Sequence, residues 1–175
     1  VCTGRIFYKH LCPGKHTYSL LYSNIIDSTF SDGSESHKNI VCDSWDIIGI
    51  RVGKAKECNT ESFGDITDFI TLTFNGSESR EVNPGEFFCT DPFEMAFEYE
   101  EYMCVEISFA GRQLPYHAET LLPAFRLENG KWKADARMPF PSMIGVKRTD
   151  KLRIGFLGDS ITQGIGTKPN SYAHW

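Results

Sequence analysis

Apolar side chains fall on every second residue in three separate stretches of this chain, and that period limits what the chain can become. In Asp68-Phe69-Ile70-Thr71-Leu72-Thr73-Phe74, the residues Ile70, Leu72 and Phe74 share one side, and Thr71 and Thr73 take the other. In Met103-Cys104-Val105-Glu106-Ile107-Ser108-Phe109, the residues Met103, Val105, Ile107 and Phe109 point one way, with Glu106 and Ser108 opposite. In Asp46-Ile47-Ile48-Gly49-Ile50-Arg51-Val52, the residues Ile48, Ile50 and Val52 line one side. Side chains alternate across a strand, so the pattern predicts half-buried strands with one wet face. No convincing amphipathic helix and no internal repeat stands in this part of the chain.

Turn residues separate the runs: Cys12-Pro13-Gly14, Ser31-Asp32-Gly33-Ser34, Asn75-Gly76, Asn83-Pro84-Gly85, Ala110-Gly111 and Asn129-Gly130. Asn-Gly accepts positive φ at both central positions, so Phe74-Asn75-Gly76-Ser77 reads as a tight hairpin turn. Many short strands with regular turns predict a mainly β, jelly-roll-like β-sandwich over residues 1–138. With 41% hydrophobic residues in a chain of 175, there is enough apolar material for a core.

A connector follows at 139–150, where Pro139 and Pro141 block ladder pairing. Its apolar residues, among them Phe140, Met143 and Ile144, argue that it packs on a neighbour. The pattern changes in kind over 151–175. Leu152-Arg153-Ile154-Gly155-Phe156-Leu157 is nearly continuous in its apolar character, as expected of a parallel strand covered on both faces. A glycine-rich turn comes next, and Asn170-Ser171 is placed to cap a helix. Strand, turn and helix start are the opening of an α/β unit, which cannot bury both its faces alone.

Partners are bounded by charge and hydropathy. The formal charge is −5 and no basic patch stands out, so nucleic acid is not an expected partner. No apolar stretch reaches the roughly 20 residues of a membrane helix, so no membrane partner is expected. The cysteines, at 2, 12, 42, 58, 89 and 104, form no Cys-x-x-Cys pair. Cys42 and Cys104 fall in strand-like runs and read as buried thiols. A reducing cytoplasm is the favoured compartment, with a secreted form after removal of a signal left open.

Several groups were weighed for binding chemistry. His10, Cys12 and His16 suggest a metal site, but a solvated turn around Pro13-Gly14 is the preferred reading. Glu94, Glu98, Glu100 and Glu101 lack calcium-loop spacing and read as a charged sheet edge. Tyr99, Tyr102, Tyr116, Trp45 and Trp132 could stack on a sugar, but ordinary core and surface aromatics are preferred. His174 reads as a helix-surface residue. No metal and no organic cofactor is expected.

The chemistry concentrates in Gly158-Asp159-Ser160-Ile161-Thr162-Gln163-Gly164-Ile165-Gly166-Thr167. A serine at the carboxyl end of a central strand lies where α/β folds bind ligands. Its hydroxyl needs a base to remove the proton and donors to hold an oxyanion. Gly158 permits the sharp turn, and the amide of Ser160 is one oxyanion donor. Gly164 and Gly166 keep the following loop low, and Asp159 fixes the turn through local hydrogen bonds. Thr162 stands where Gly-x-Ser-x-Gly needs glycine, no Gly-Lys-Ser/Thr follows for a phosphate loop, and Pro169 interrupts a dinucleotide fingerprint.

This block resembles the nucleophile block of the SGNH (GDSL-type) hydrolases. The resemblance implies that Ser160 is the nucleophile of an ester hydrolase acting on a small-molecule or carbohydrate ester. It implies that 151–175 begin a three-layer α/β/α domain. It also implies a later Asp-x-x-His as general base, and no such spacing exists in these residues. The expectation is therefore an N-terminal portion, inactive alone, that associates with the missing C-terminal portion or with itself. Some family members carry an N-terminal β-sandwich, including certain carbohydrate acetyl esterases. Cys89-Thr90-Asp91-Pro92, Val105-Glu106-Ile107-Ser108 and the proline-rich connector resemble that arrangement. The alternative is a non-catalytic β-sandwich for binding or assembly.

Overall fold

The computed structural model describes residues 1–29, 36–117 and 120–147, and every regular element among them is a β-strand. The larger sheet contains β1 (Cys2–Lys9), β5 (Trp45–Ala55), β6 (Ile66–Thr71), β7 (Arg80–Val82), β10 (Tyr102–Ala110), β11 (Ala124–Glu128) and β12 (Lys131–Ala134). Its order is β12-β11-β1-β10-β5-β6, with β7 also on β5. The smaller sheet is built on β2 (Gly14–Ser23). There β13 (Met143–Lys147) pairs along one side, and β8 (Phe87–Cys89) and β9 (Phe93–Phe97) share the other. A ribbon of β3 (Ile25–Thr29) and β4 (Ser36–Val41) stands apart. All these pairings are antiparallel.

The alternation places the core. Ile6, Val52, Val105 and Ile107 from the larger sheet share one buried cluster with Tyr18, Leu20, Tyr22, Phe93 and Met95 from the smaller. The two sheets therefore face each other across a common interior. The expected inward set Met103, Val105, Ile107 and Phe109 is in that cluster, as are Leu72 and Phe74, with Ile70 against it. Cys42 and Cys104 are buried thiols, and burial raises the pKa of both.

Both Asn-Gly turns form as their chemistry requires. Asn75 and Gly76 have φ of 52° and 82°, and Phe74 and Ser77 exchange backbone hydrogen bonds of 2.8 and 3.1 Å. Asn129 and Gly130 join β11 to β12 with φ of 50° and 74°.

Two expectations need correction. The first concerns Ile48, which the alternation put on the inner side. Ser108 pairs with Gly49 but Phe109 pairs with Ile47, so Ile48 is the extra residue of a bulge. Beyond a bulge the faces exchange. Ile47 is 1% exposed and Ile48 is 48% exposed.

The second concerns the wet face. Glu106 does turn away from the main core, yet it is only 8% exposed. That outer face carries a second cluster of Phe7, Ala55, Cys104 and Phe125, flanked by Phe63 and Trp132. Glu106 accepts from Arg5 Nε at 2.7 Å and from Arg51 Nε at 2.6 Å. The Arg5 guanidinium lies 4.1 Å from the Trp132 ring centre and 5.1 Å from that of Phe63. Arg51 lies 4.0 Å over Phe69. A carboxylate loses water without loss of partners when cations and rings replace it.

The segment after β12 packs closely. Met138 is fully buried, and its sulfur occupies the space that a Cβ on Gly4 would need. The Ser142 amide donates to Leu21 O at 2.8 Å, and the chain then runs as β13 beside β2. The expected strand, turn and helix of 151–175 lie outside the described residues.

Candidate binding cleft

Ser160, Gly158, Asp159 and Gly164 lie outside the described residues, as does His174. Among the described residues, a cleft of about 980 Å³ borders β13. One wall begins where β1 ends. His10 N donates to Glu101 O and Glu100 N to His10 O, both at 2.7 Å, which fixes the chain there. Lys9 Nζ pairs with Glu100 at 2.9 Å, and that hydrogen bond raises the Lys9 pKa. The Tyr8 hydroxyl donates to Pro141 O at 3.2 Å. Its burial pushes the phenol pKa far up, so Tyr8 is a neutral donor at any working pH. The His10 ring stacks on Phe97 at 4.2 Å with an interplanar angle of 2°.

Tyr116, His117, Thr120 and Leu122 add a second part of the lining. The Nδ1 of His117 is buried and has no hydrogen-bond partner. A buried polar atom without a partner carries a desolvation cost, which a ligand can relieve. Apolar residues supply the rest: Ile25, Phe87, Phe140, Met143, Ile144 and Val146. Phe87 is 63% exposed and Met143 62%. Among the described residues, no aspartate or glutamate lines the cleft.

The other candidates disperse. His10 and His16 each meet Tyr18 in a T-shaped ring contact, at 5.4 and 6.1 Å between ring centres. Among the described residues, no three His, Cys, Asp or Glu side chains are grouped to hold a metal. Glu94 pairs with Lys15 and Glu100 with Lys9, while Glu101 accepts from the Glu98 amide. Trp45 is buried and donates to Asn24 Oδ1 at 2.9 Å. Tyr99 is exposed, Trp132 stacks on Arg5, and Tyr116 stands in the cleft. Tyr102 flanks the same outer cluster as Trp132, while Trp45, Tyr99 and Tyr116 stand elsewhere, so the five do not form one platform.

A second groove of about 650 Å³ lies on the outer face of the larger sheet. It sets Arg5, Lys54 and Lys56 against Glu57, Asp65 and Glu101. Lys54 is already paired with Asp68 at 2.9 Å. This balance gives no sign preference for a ligand.

Sequence reasoning missed the cleft because its walls come from the end of β1, the residues around His117, and β13. The available signal was the proline-bounded apolar segment Pro139-Phe140-Pro141, which needed a cover. No family model matches the chain, and no curated protein matches it. No helix among the described residues is long and apolar enough to cross a membrane.

Proposed function

We propose that these residues are the front of an SGNH-type serine ester hydrolase: a jelly-roll-like β-sandwich, then the nucleophile block of an α/β/α domain. The observation that carries this reading is Gly158-Asp159-Ser160-Ile161-Thr162 directly after the apolar run Leu152–Leu157. Two antiparallel sheets with a shared core in front of that block are compatible with the sandwich part. Ser160 attacks the ester carbonyl, the alcohol leaves, and water releases the acyl group from the serine. The Ser160 amide holds the oxyanion, Gly158 and Asp159 shape the turn, and Gly164 leaves room for the acyl group. The general base is supplied from outside these residues. The substrate is a small acyl ester, with an acetylated carbohydrate as the reading by family analogy.

The test is a fluorophosphonate probe applied to the whole polypeptide, with hydrolysis of p-nitrophenyl acetate in parallel. One covalent adduct is expected, lost together with turnover in Ser160→Ala while the fold is kept. Undiminished hydrolysis by that variant overturns the assignment. The alternative, a non-catalytic binding or assembly module, draws on the cleft beside β13. It gains if the probe leaves the protein unlabelled.

A further inference from the structure

We infer that the cleft beside β13 binds an amphipathic acyl compound, its hydrocarbon tail over Phe87, Met143 and Ile25 and its carbonyl head toward Lys9 and His117. The inference rests on the cleft alone and does not require Ser160 to act.

Strand register orders the lining. Phe87 pairs with Ser23, and Met143 with Leu21 two residues back along β2. Ser142 bonds Leu21 O, and Pro141 meets the Tyr8 hydroxyl. Lys9 and His10 follow Tyr8 directly. The cleft therefore passes from an apolar end to an end of hydroxyl, ammonium and imidazole groups. Phe87 and Met143 leave more than half their surface in water, which costs free energy that a hydrocarbon tail would recover.

Hydrogen-bond donors select the head. Among the described residues this concave surface holds Lys9 and His117 and no aspartate or glutamate. A carbonyl oxygen finds the remaining N–H donors of Lys9, whose ammonium is already paired with Glu100 at 2.9 Å, and the buried Nδ1 of His117, which donates when that nitrogen carries the proton. The volume, about 980 Å³, lies at the upper end for small-molecule sites. It suits an extended chain better than an acetyl group.

The 175-residue chain is titrated with octanoate, decanoate, dodecanoate and methyl decanoate, below micelle-forming concentrations. Calorimetry and the imidazole carbon signals of the histidines provide the readouts. Saturable one-to-one binding is expected, with affinity rising about fourfold per added methylene. The His117 signal moves. Phe87→Asp and Met143→Asp, both at exposed positions, each weaken decanoate at least tenfold and leave the circular dichroism unchanged. Equal binding of decanoate and its methyl ester identifies an ester head. Preference for decanoate that Lys9→Gln removes identifies a free acid. Absence of saturable binding overturns the inference, as does affinity that ignores chain length or both aspartate variants. A dimer that Met143→Asp splits, with no decanoate bound, also overturns it and makes the surface a self-association face.

Discussion

The carboxylate of Asp91 collects three donors from a turn sixteen residues away: the Thr73 hydroxyl at 2.6 Å, the Gly76 amide at 2.8 Å and the Asn75 amide at 3.0 Å. Each bond favours the ionised form, so the Asp91 pKa lies below its ordinary 3.8, with the Thr73 bond as the largest cause. The folded pKa is the lower one. The stabilisation is therefore complete above the ordinary value and is lost as the pH falls through the folded value. Asp91→Asn should lower the urea midpoint at pH 7, and its difference from the parent should shrink as the pH falls from 3.8 through the lower folded value. A midpoint difference that stays unchanged as the acid titration proceeds removes the carboxylate from the account. Glu106 makes the opposite kind of site, a charge held away from water. Its side chain and that of Arg5 are 10% and 14% exposed. Glu106→Ala strands the Arg5 cation between two rings and should cost about 3–5 kcal/mol in chemical denaturation. Replacing both partners with apolar residues, Arg5→Met with Glu106→Leu, should cost clearly less, because no unpaired charge then remains. If the double variant loses more than Glu106→Ala, packing rather than charge sets the energy of this layer.

At the level of the strand, the bulge in β5 decides which isoleucine holds the sheets together. Ile47→Ala should cost about 2–5 kcal/mol, as for a large core residue. Ile48→Ala should stay within about 0.5 kcal/mol, as at a surface position. Equal losses, or the reverse order, mean that the register runs unbroken through Gly49. The alternation in the sequence ranks Ile48 as the inward residue, and the reason for the error is physical. A bulge is a mismatch between two strands, so its position depends on β10 as much as on β5. What was legible was local. Asn75-Gly76 and Asn129-Gly130 fix their own φ angles, and Leu72 and Phe74 keep their inward alternation although β6 ends at Thr71. The dry outer face was not legible, because Phe63 and Trp132 come from distant segments to cover Glu106 and Cys104. The strand β13 was hidden for a similar reason. The prolines at 139 and 141 argue against a strand there, and β13 begins just past them, where the free side of β2 accepts it.

For the molecule as a whole, the question is where the β unit ends and the serine block's own unit begins. The sequence places the boundary after 138, where the prolines start. The packing argues for a later one. Met138 fills the space above Gly4, and Phe140 and Ile144 lie against the main core. With β13 in place, β2 is paired on both sides. Among the described residues, both buried clusters close with side chains no later than Ile144. A chain truncated after Lys147 should therefore unfold in one cooperative step, with a melting temperature within a few degrees of that of the 175-residue chain. Truncation after Met138 removes the Phe140 and Ile144 contacts and bares the backbone of β2 along one side. A bared edge recruits other strands, so this shorter chain should melt at least 10 °C lower and associate. Calorimetry with sedimentation separates the outcomes. Equal stability of the two truncations returns the boundary to 138. A large loss on truncation after Lys147 instead means that residues 148–175 are part of the same folding unit. Ser160 would then belong to the β unit itself, and the reading of Leu152–Leu157 as the first strand of a separate α/β domain would fall with it.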